Sequence, residues 1–294
     1  MESPSEPLAA QEGSEDDGCD GPRGAGDWRA GGIGQALCQA FAAAGMRVGV
    51  CDVNRAGAEH LAGELGSERA VSVDGDVADP KSCEAAVAAT VARFGSLHAL
   101  VNNAGLGMGI IRRDHMTVPV KLEEVSVDVW HRFIDTNLSG AFHMTKAAMP
   151  HFRAAGNGRI VNVTTSFFTM LRQGFYPYGV AKAGLEAWTA SLASELNGSG
   201  ITVNVVVPGG PTDTPMVPPE SGYDRAALIR PIQMAPPMLY LFGDRASGVT
   251  GRRFVAAQWD PALPAEQAAF QAGAPAGWPD LASNPVWPGG LPAR

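Results

Sequence analysis

The feature that most constrains this chain is an alternation. Short runs that are apolar at nearly every residue are separated by alanine-rich stretches of helical texture. The runs are RVGVCD (Arg47–Asp52), AVSV (Ala70–Val73), LHALVNN (Leu97–Asn103), RIVNVTT (Arg159–Thr165) and ITVNVVV (Ile201–Val207). None shows the in–out pattern of a strand with one wet face, so they fit strands buried on both sides. The helical stretches between them are Gly34–Ala44, Arg55–Leu65, Lys81–Phe94, Val127–Ala154 and Gly179–Leu196. Strands alternating with helices predict an α/β fold with a doubly wound parallel sheet, Rossmann-like and built as a single domain. Of the 294 residues, 45% are apolar, enough for a sizeable core.

The flanks differ in texture. Residues 1–27 are acidic and rich in Gly, Ser and Pro, and read as a disordered segment. Residues 28–260 carry the alternation and read as the catalytic domain. Residues 261–294 are dense in Pro, Gly and Ala and are expected to wrap the surface, or a neighbouring subunit, in irregular form. The formal net charge of −8 argues against nucleic acid or an anionic membrane as a partner, since either needs a basic patch. No apolar stretch reaches the length of a membrane span, and the acidic N-terminus is unlike a secretory signal. Cys19, Cys38, Cys51 and Cys83 show no metal-binding spacing, so no metal is expected. They read as unpaired thiols of a reducing cytoplasm.

Three features point to chemistry. Gly31, Gly32 and Gly34 open a helix, where backbone N–H groups and the helix dipole favour a pyrophosphate. An ordinary tight turn would explain the glycines equally well. Asp52 weighs against that reading, since it ends a strand eighteen residues after Gly34. That is close to the roughly 20 expected of a carboxylate gripping a ribose 2′-hydroxyl. A carboxylate there repels a 2′-phosphate, so the expected cofactor is NAD rather than NADP. Tyr178 and Lys182 stand four apart, on one helical face. A free phenol, with a pKa of about 10, is a poor acid–base near neutrality, and a nearby ammonium favours its phenolate. A Tyr–Lys pair at this spacing also occurs on ordinary surface helices. Here, however, a hydroxyl-rich strand end (Thr164, Thr165, Ser166) precedes it by a loop's length and can set a hydroxyl beside the phenol.

Together these pieces resemble the short-chain dehydrogenase/reductase family over about Gly31 to Trp259. The motifs are GGIG (Gly31–Gly34), Asp52, the pair Asp76–Val77, NNAG (Asn102–Gly105), Asn137 in TNLSGAF, VNVTTS, YGVAK, PGGPTDTPM (Pro208–Met216) and GVTGRRFVAAQWD (Gly248–Asp260). The resemblance implies hydride transfer between a nicotinamide cofactor and a secondary alcohol or ketone. Gly32, Ile33 and Gly34 would hold the pyrophosphate, and Asp76 and Val77 would flank the adenine. Asn103, Ala104 and Gly105 would line the ribose side. Asn137 would hold a water in a proton relay from Lys182. Tyr178 would be the general acid–base, and Lys182 would bind the nicotinamide ribose and lower the phenol's pKa. Pro208, Gly209 and Thr212, with Thr214 as a further candidate, would cover the nicotinamide. A homodimer or homotetramer is implied in the same way.

The chain departs from the family pattern in three places. Thr165 stands where a serine is usual. Ser166 is the neighbouring candidate, although strand alternation would turn it away. The last strand ends in AAQWD rather than a glycine-rich sequence. Most seriously, the positions of the first, central strand and its Thr-Gly turn hold GPRGAG (Gly21–Gly26), Asp27 and Trp28, which do not suit a buried strand. The first strand is thus expected to be degenerate or missing, and the first thirty or so residues to be foreign to the ancestral fold. The alternative reading is therefore a catalytically impaired or non-catalytic nucleotide-binding protein. Related chemistry on this scaffold, such as epimerisation, is a third. A substrate lid is expected over Val217–Ala235, with Arg225 and Arg230 either solvated or meeting a carboxylate. Met170, Leu171 and Phe175 are candidate pocket walls.

Overall fold

A computed structural model describes residues 7–11 and 32–282. Eight strands form one sheet in the order β3-β2-β1-β4-β5-β6-β7-β8. They are β1 (Pro7–Gln11), β2 (Arg47–Asp52), β3 (Ala70–Asp74), β4 (Ala99–Asn102), β5 (Gly158–Val163), β6 (Ile201–Val207), β7 (Arg252–Val255) and β8 (Gly273–Pro275). The first seven are parallel, and β8 runs antiparallel to β7. The helices are α1 (Ile33–Ala43), α2 (Arg55–Leu65), α3 (Pro80–Phe94), α4 (Val127–Ile134), α5 (Gly140–Ala155), α6 (Phe167–Met170), α7 (Tyr176–Glu195), α8 (Ala235–Phe242) and α9 (Ala265–Ala272).

Alternate residues of each central strand feed opposite cores. Val48, Val50, Val101, Val161 and Val206 pack with Leu37 and Phe41 of α1 and Met238 and Leu241 of α8. Leu100, Ile160 and Val203 pack with Met144 and Phe152 of α5 and Leu192 of α7 on the other face. Both faces being dry explains why the strands are apolar throughout.

Both flanks differ from the sequence reading. The central position is occupied by Pro7–Gln11, which lies inside the stretch read as disordered. Leu8 pairs with Val48 on one side and with Ala99 on the other. A parallel ladder asks only for backbone N–H and C=O groups, and proline is tolerated at a strand's first residue. The strand is degenerate in sequence, since PLAAQ has no β-branched residue. Its place is nonetheless filled, because β2 and β4 would otherwise each leave a row of buried backbone groups unpaired. Gly21–Gly26, Asp27, Trp28 and Gly31 lie outside the described residues. The tail read as irregular supplies α9 and β8. β8 covers the outer edge of β7 with the register Arg252↔Pro275 to Phe254↔Gly273, which satisfies an edge that would otherwise be open.

The stretch Val127–Ala154, read as one helix, is helical throughout but not regular. A single π-turn over Asp135–Ser139 joins α4 to α5 and carries Asn137. Such bulges concentrate at functional sites because they re-aim side chains within a continuous helix.

Candidate functional site

The sheet reverses its winding direction between β1 and β4, and a cleft of about 440 Å³ opens there beyond the carboxyl ends of the strands. Its sides come from the residues that the alternation delivers to strand ends. At one end lie Gly32, Ile33 and Gly34 at the start of α1, with Asp52 at the end of β2. Gly32 is extended, with φ −128°, and no side chain caps the helix or places a carboxylate in its first turn. A Cβ built on Gly32 would meet nothing within 4 Å. These open N–H groups and this free space fit an anion such as a dinucleotide's pyrophosphate.

Asp52 is only 6% exposed and accepts the N–H of Asn54 at 2.7 Å. Burial pushes its carboxyl up to about 6, against the pull of that hydrogen bond. It stays ionised at neutral pH. In the middle of the cleft are Asn103, Gly105, Pro208 and Gly209, with Thr212 and Thr214 beside them. Gly209 has φ +104°, and a Cβ there would lie 2.8 Å from Val255, so the loop after β6 requires glycine.

Tyr178, Lys182 and Thr165 meet in the same cleft. Lys182 is 3% exposed, its Nζ donates to the carbonyl of Val163 at 2.9 Å, and it lies 5.9 Å from the Tyr178 ring centre. Thr165 hydrogen-bonds the phenol and lowers its pKa, but burial is stronger and raises it to about 12. Burial likewise drives Lys182 down to about 8. In the protein alone, then, burial outweighs the ammonium effect expected from the spacing, and both groups are set against their charged forms.

Ser166 is spent elsewhere. Its Oγ caps α6 by accepting from the N–H of Thr169 at 3.1 Å, and it shares a 2.8 Å hydrogen bond with the Thr169 hydroxyl. Of the two candidates, Thr165 is therefore the hydroxyl at the phenol. Thr164 donates at 2.9 Å to Glu186, which is fully buried and faces Arg253 at 3.4 Å.

Asn137 engages Leu106 with both ends of its side-chain amide. Oδ1 accepts the backbone N–H at 2.6 Å, and Nδ2 donates to the carbonyl at 2.9 Å. It thus clamps the NNAG loop against the site. A Cβ on Gly105 would lie 3.4 Å from both the Asn137 Oδ1 and the Lys182 Nζ, so these groups crowd one point.

Three expected cofactor contacts fall outside the cleft lining. Asp76 turns its carboxylate to the N–H of Ala78 at 2.9 Å, closing a local turn. Val77 is buried, and a Cβ on Gly140 would lie 2.6 Å from its methyl. Ala104 packs against the α5-side core. Of the candidate walls, Phe175 lines the cleft, Met170 is buried outside its lining, and Leu171 is 71% exposed. Arg225 and Arg230 are neither free nor aimed inward, since both pair with Asp213, at 2.5 and 2.9 Å. The sequence reading overlooked His115, Met116 and Arg172, which also line the cleft. Arg172 stands three residues before Phe175, a signal that proximity to the catalytic helix offered. His115, in the loop after β4, carries no spacing signal.

A family model described as short chain dehydrogenase matches residues 29–222. The chain belongs to the short-chain dehydrogenase family. It is 34% identical over 229 residues to the 3-oxoacyl-[acyl-carrier-protein] reductase FabG of Escherichia coli (strain K12), covering 75% of this chain and 89% of that one. Two solved structures resemble it in fold. One is the 3-ketoacyl-(acyl-carrier-protein) reductase from Brucella melitensis complexed with NADH, with a TM-score of 0.66 and 27% identity, covering 84% of this chain and 93% of that one. The other is an actinorhodin polyketide ketoreductase with NADPH, with a TM-score of 0.68, 28% identity and the same coverage. As a short-chain dehydrogenase the chain is an oxidoreductase acting on CH–OH or carbonyl groups. Relatives bind either nicotinamide dinucleotide. No helix among the described residues is long and apolar enough to cross a membrane.

Proposed function

We propose that this enzyme interconverts a secondary alcohol and a ketone with NAD, using Tyr178 as general acid–base. The observation that carries the reading is the convergence of Thr165, Tyr178 and Lys182 in a cleft whose other end holds the start of α1 and Asp52. Bound NAD supplies the hydride acceptor and a cationic ring. Gly32, Ile33 and Gly34 would hold its pyrophosphate, and Asp52 would accept ribose hydroxyls and oppose a 2′-phosphate. Asn103, Gly105, Pro208, Gly209 and Thr212 would border its nicotinamide half.

The chain's own residues handle the proton. Thr165 donates to the substrate oxygen and to the phenol oxygen in turn. Tyr178 takes the hydroxyl proton as the carbonyl forms, or returns it in reduction. Lys182, fixed by the Val163 carbonyl, supplies positive charge beside the phenolate that this transfer creates. Asn137 keeps the NNAG loop and Lys182 in register.

A cytoplasmic location accords with the free, buried thiols of Cys38, Cys51 and Cys83. A homodimer or homotetramer accords with Phe142 on α5 and Val180 on α7, 47% and 46% exposed. Tyr178→Phe tests the mechanism against a panel of cyclic and aliphatic alcohols with NAD and NADP side by side. Turnover should fall by about 10²–10⁴-fold, with cofactor affinity nearly unchanged. Retained turnover would remove Tyr178 from its role.

A further inference from the structure

The substrate half of the cleft holds two polar groups that the proton transfer does not use. His115 is 2% exposed, and its Nδ1 lies 2.9 Å from the carbonyl of Arg112, so Nδ1 carries the hydrogen in that contact. This holds the ring tilted at 60° to Phe175, centroids 5.6 Å apart. The contact engages Nδ1 and leaves Nε2 as the ring's remaining, acceptor nitrogen, in a residue that lines the cleft.

Arg172 stacks on the same Phe175 ring, its guanidinium carbon 4.5 Å from the centroid. One of its terminal nitrogens donates to the Met116 carbonyl at 2.6 Å, and the other reaches the Met116 sulfur at 3.5 Å. No carboxylate among the described residues pairs with it, although several other arginines of the loops are paired. Arg112 holds Asp114 and Glu124, Arg113 holds Glu220, and Arg225 and Arg230 share Asp213. A guanidinium that lines a pocket, is held by a carbonyl and an aromatic face, and lacks a carboxylate is a fixed, uncompensated cation.

We propose that Arg172 binds an anionic substituent, a carboxylate, at the end of the substrate remote from the reacting carbon, with His115 beside it as a hydrogen-bond acceptor. The assignment rests on the dehydrogenase reading above. Phe175 separates this pair from the phenol. It precedes Tyr178 by three residues, and its carbonyl accepts the Gly179 N–H at 2.6 Å, so it stands on the turn that delivers Tyr178. A substrate with its carbinol at Tyr178 and Thr165 and a ring-sized spacer over Phe175 would bring its carboxylate to the Arg172 N–H groups that Met116 does not hold. The neutral His115 Nε2 can only accept, so it would serve a hydroxyl beside the anion rather than the anion itself, since burial and the Arg172 charge hold its pKa down. The apolar walls Met108, Met116 and Met216 would cover the spacer. The site thus selects hydroxy or oxo acids over the corresponding neutral alcohols or ketones.

The test compares 4-hydroxycyclohexanecarboxylate with cyclohexanol, the same ring with and without the anion, in wild type, Arg172→Met and His115→Phe. The wild type should prefer the acid in kcat/KM by about 10- to 100-fold, the range of a charge-assisted hydrogen bond. Arg172→Met should erase that preference through KM while leaving kcat/KM for cyclohexanol within about threefold. His115→Phe should leave most of that preference in place. Binding of 4-oxocyclohexanecarboxylate, followed by ligand-observed NMR, should weaken in parallel in Arg172→Met. Equal loss for acid and neutral substrates, or no preference for the acid in the wild type, would overturn the assignment while the dehydrogenase reading stands. Failure to oxidise any alcohol would overturn the dehydrogenase reading instead, and the NMR titration would still judge the carboxylate site.

Discussion

Replacing Lys182 by methionine should make the protein more stable at neutral pH and inactive. The ammonium is 3% exposed and pairs with no carboxylate among the described residues, and burial lowers its pKa from 10.5 to about 8. The folded state therefore binds this proton less tightly than the unfolded state. Stability from this group is fully present only above the unfolded pKa and is lost as pH falls from about 10.5 to about 8. At pH 7 the penalty is at its full size of about 3 kcal/mol, from a shift of 10.5 to about 8 at about 1.4 kcal/mol per unit. Methionine has a similar length and no charge. Its cost is the bond to Val163, about 1 kcal/mol for an acceptor left unpaired. The net expectation at pH 7 is a gain of about 2 kcal/mol. At pH 9.5, where the unfolded lysine is itself starting to lose its proton, the penalty shrinks to about 1 kcal/mol and the gain to about zero. Urea unfolding of wild type and K182M at both pH values, followed by far-UV circular dichroism, measures this directly. A variant less stable than wild type at pH 7, or a difference that does not change with pH, would refute the account of Lys182 as a charge held against its solvation.

Asp52→Asn should narrow the preference for NAD over NADP by on the order of 10- to 100-fold, read from dissociation constants by fluorescence titration. An unchanged ratio would remove Asp52 from that role. Thr165→Val should cut kcat by about 10²-fold or more with little loss of stability. Ser166→Ala should leave kcat intact and cost about 1 kcal/mol, the value of a helix cap. The reverse pattern would exchange the two residues' roles. Arg253→Leu strands the fully buried Glu186 without its cation and should destabilise the fold by about 3–5 kcal/mol in urea melts. A loss under about 1 kcal/mol would show the pair to be dispensable.

The local chemistry of the site was legible because it depends on short-range rules. A strand that ends where a helix begins delivers its terminal residues to one edge of the sheet, so Gly32, Asp52 and Thr165 arrive at the cleft whatever the rest of the chain does. Helical spacing of four puts Tyr178 and Lys182 on one face regardless of partners. These choices were written in the sequence before any long-range contact formed.

Other features depended on what the rest of the fold left unsatisfied. PLAAQ has no strand signature of its own. Pro7–Gln11 is a strand because β2 and β4 present unpaired backbone between them. Gly273–Pro275 is a strand because β7 would otherwise end the sheet with an open edge. The same holds for charge. Nothing in the sequence says that Asp213 takes both Arg225 and Arg230 while Arg172 keeps none of the described carboxylates. Burial also reversed the expected balance at Tyr178, since spacing reveals a neighbouring ammonium but not how much water both groups have lost. Propensity and periodicity act between residues a few positions apart. Edge pairing, ion-pair choice and desolvation are settled only when distant segments meet, and the tertiary structure alone decides which ones do.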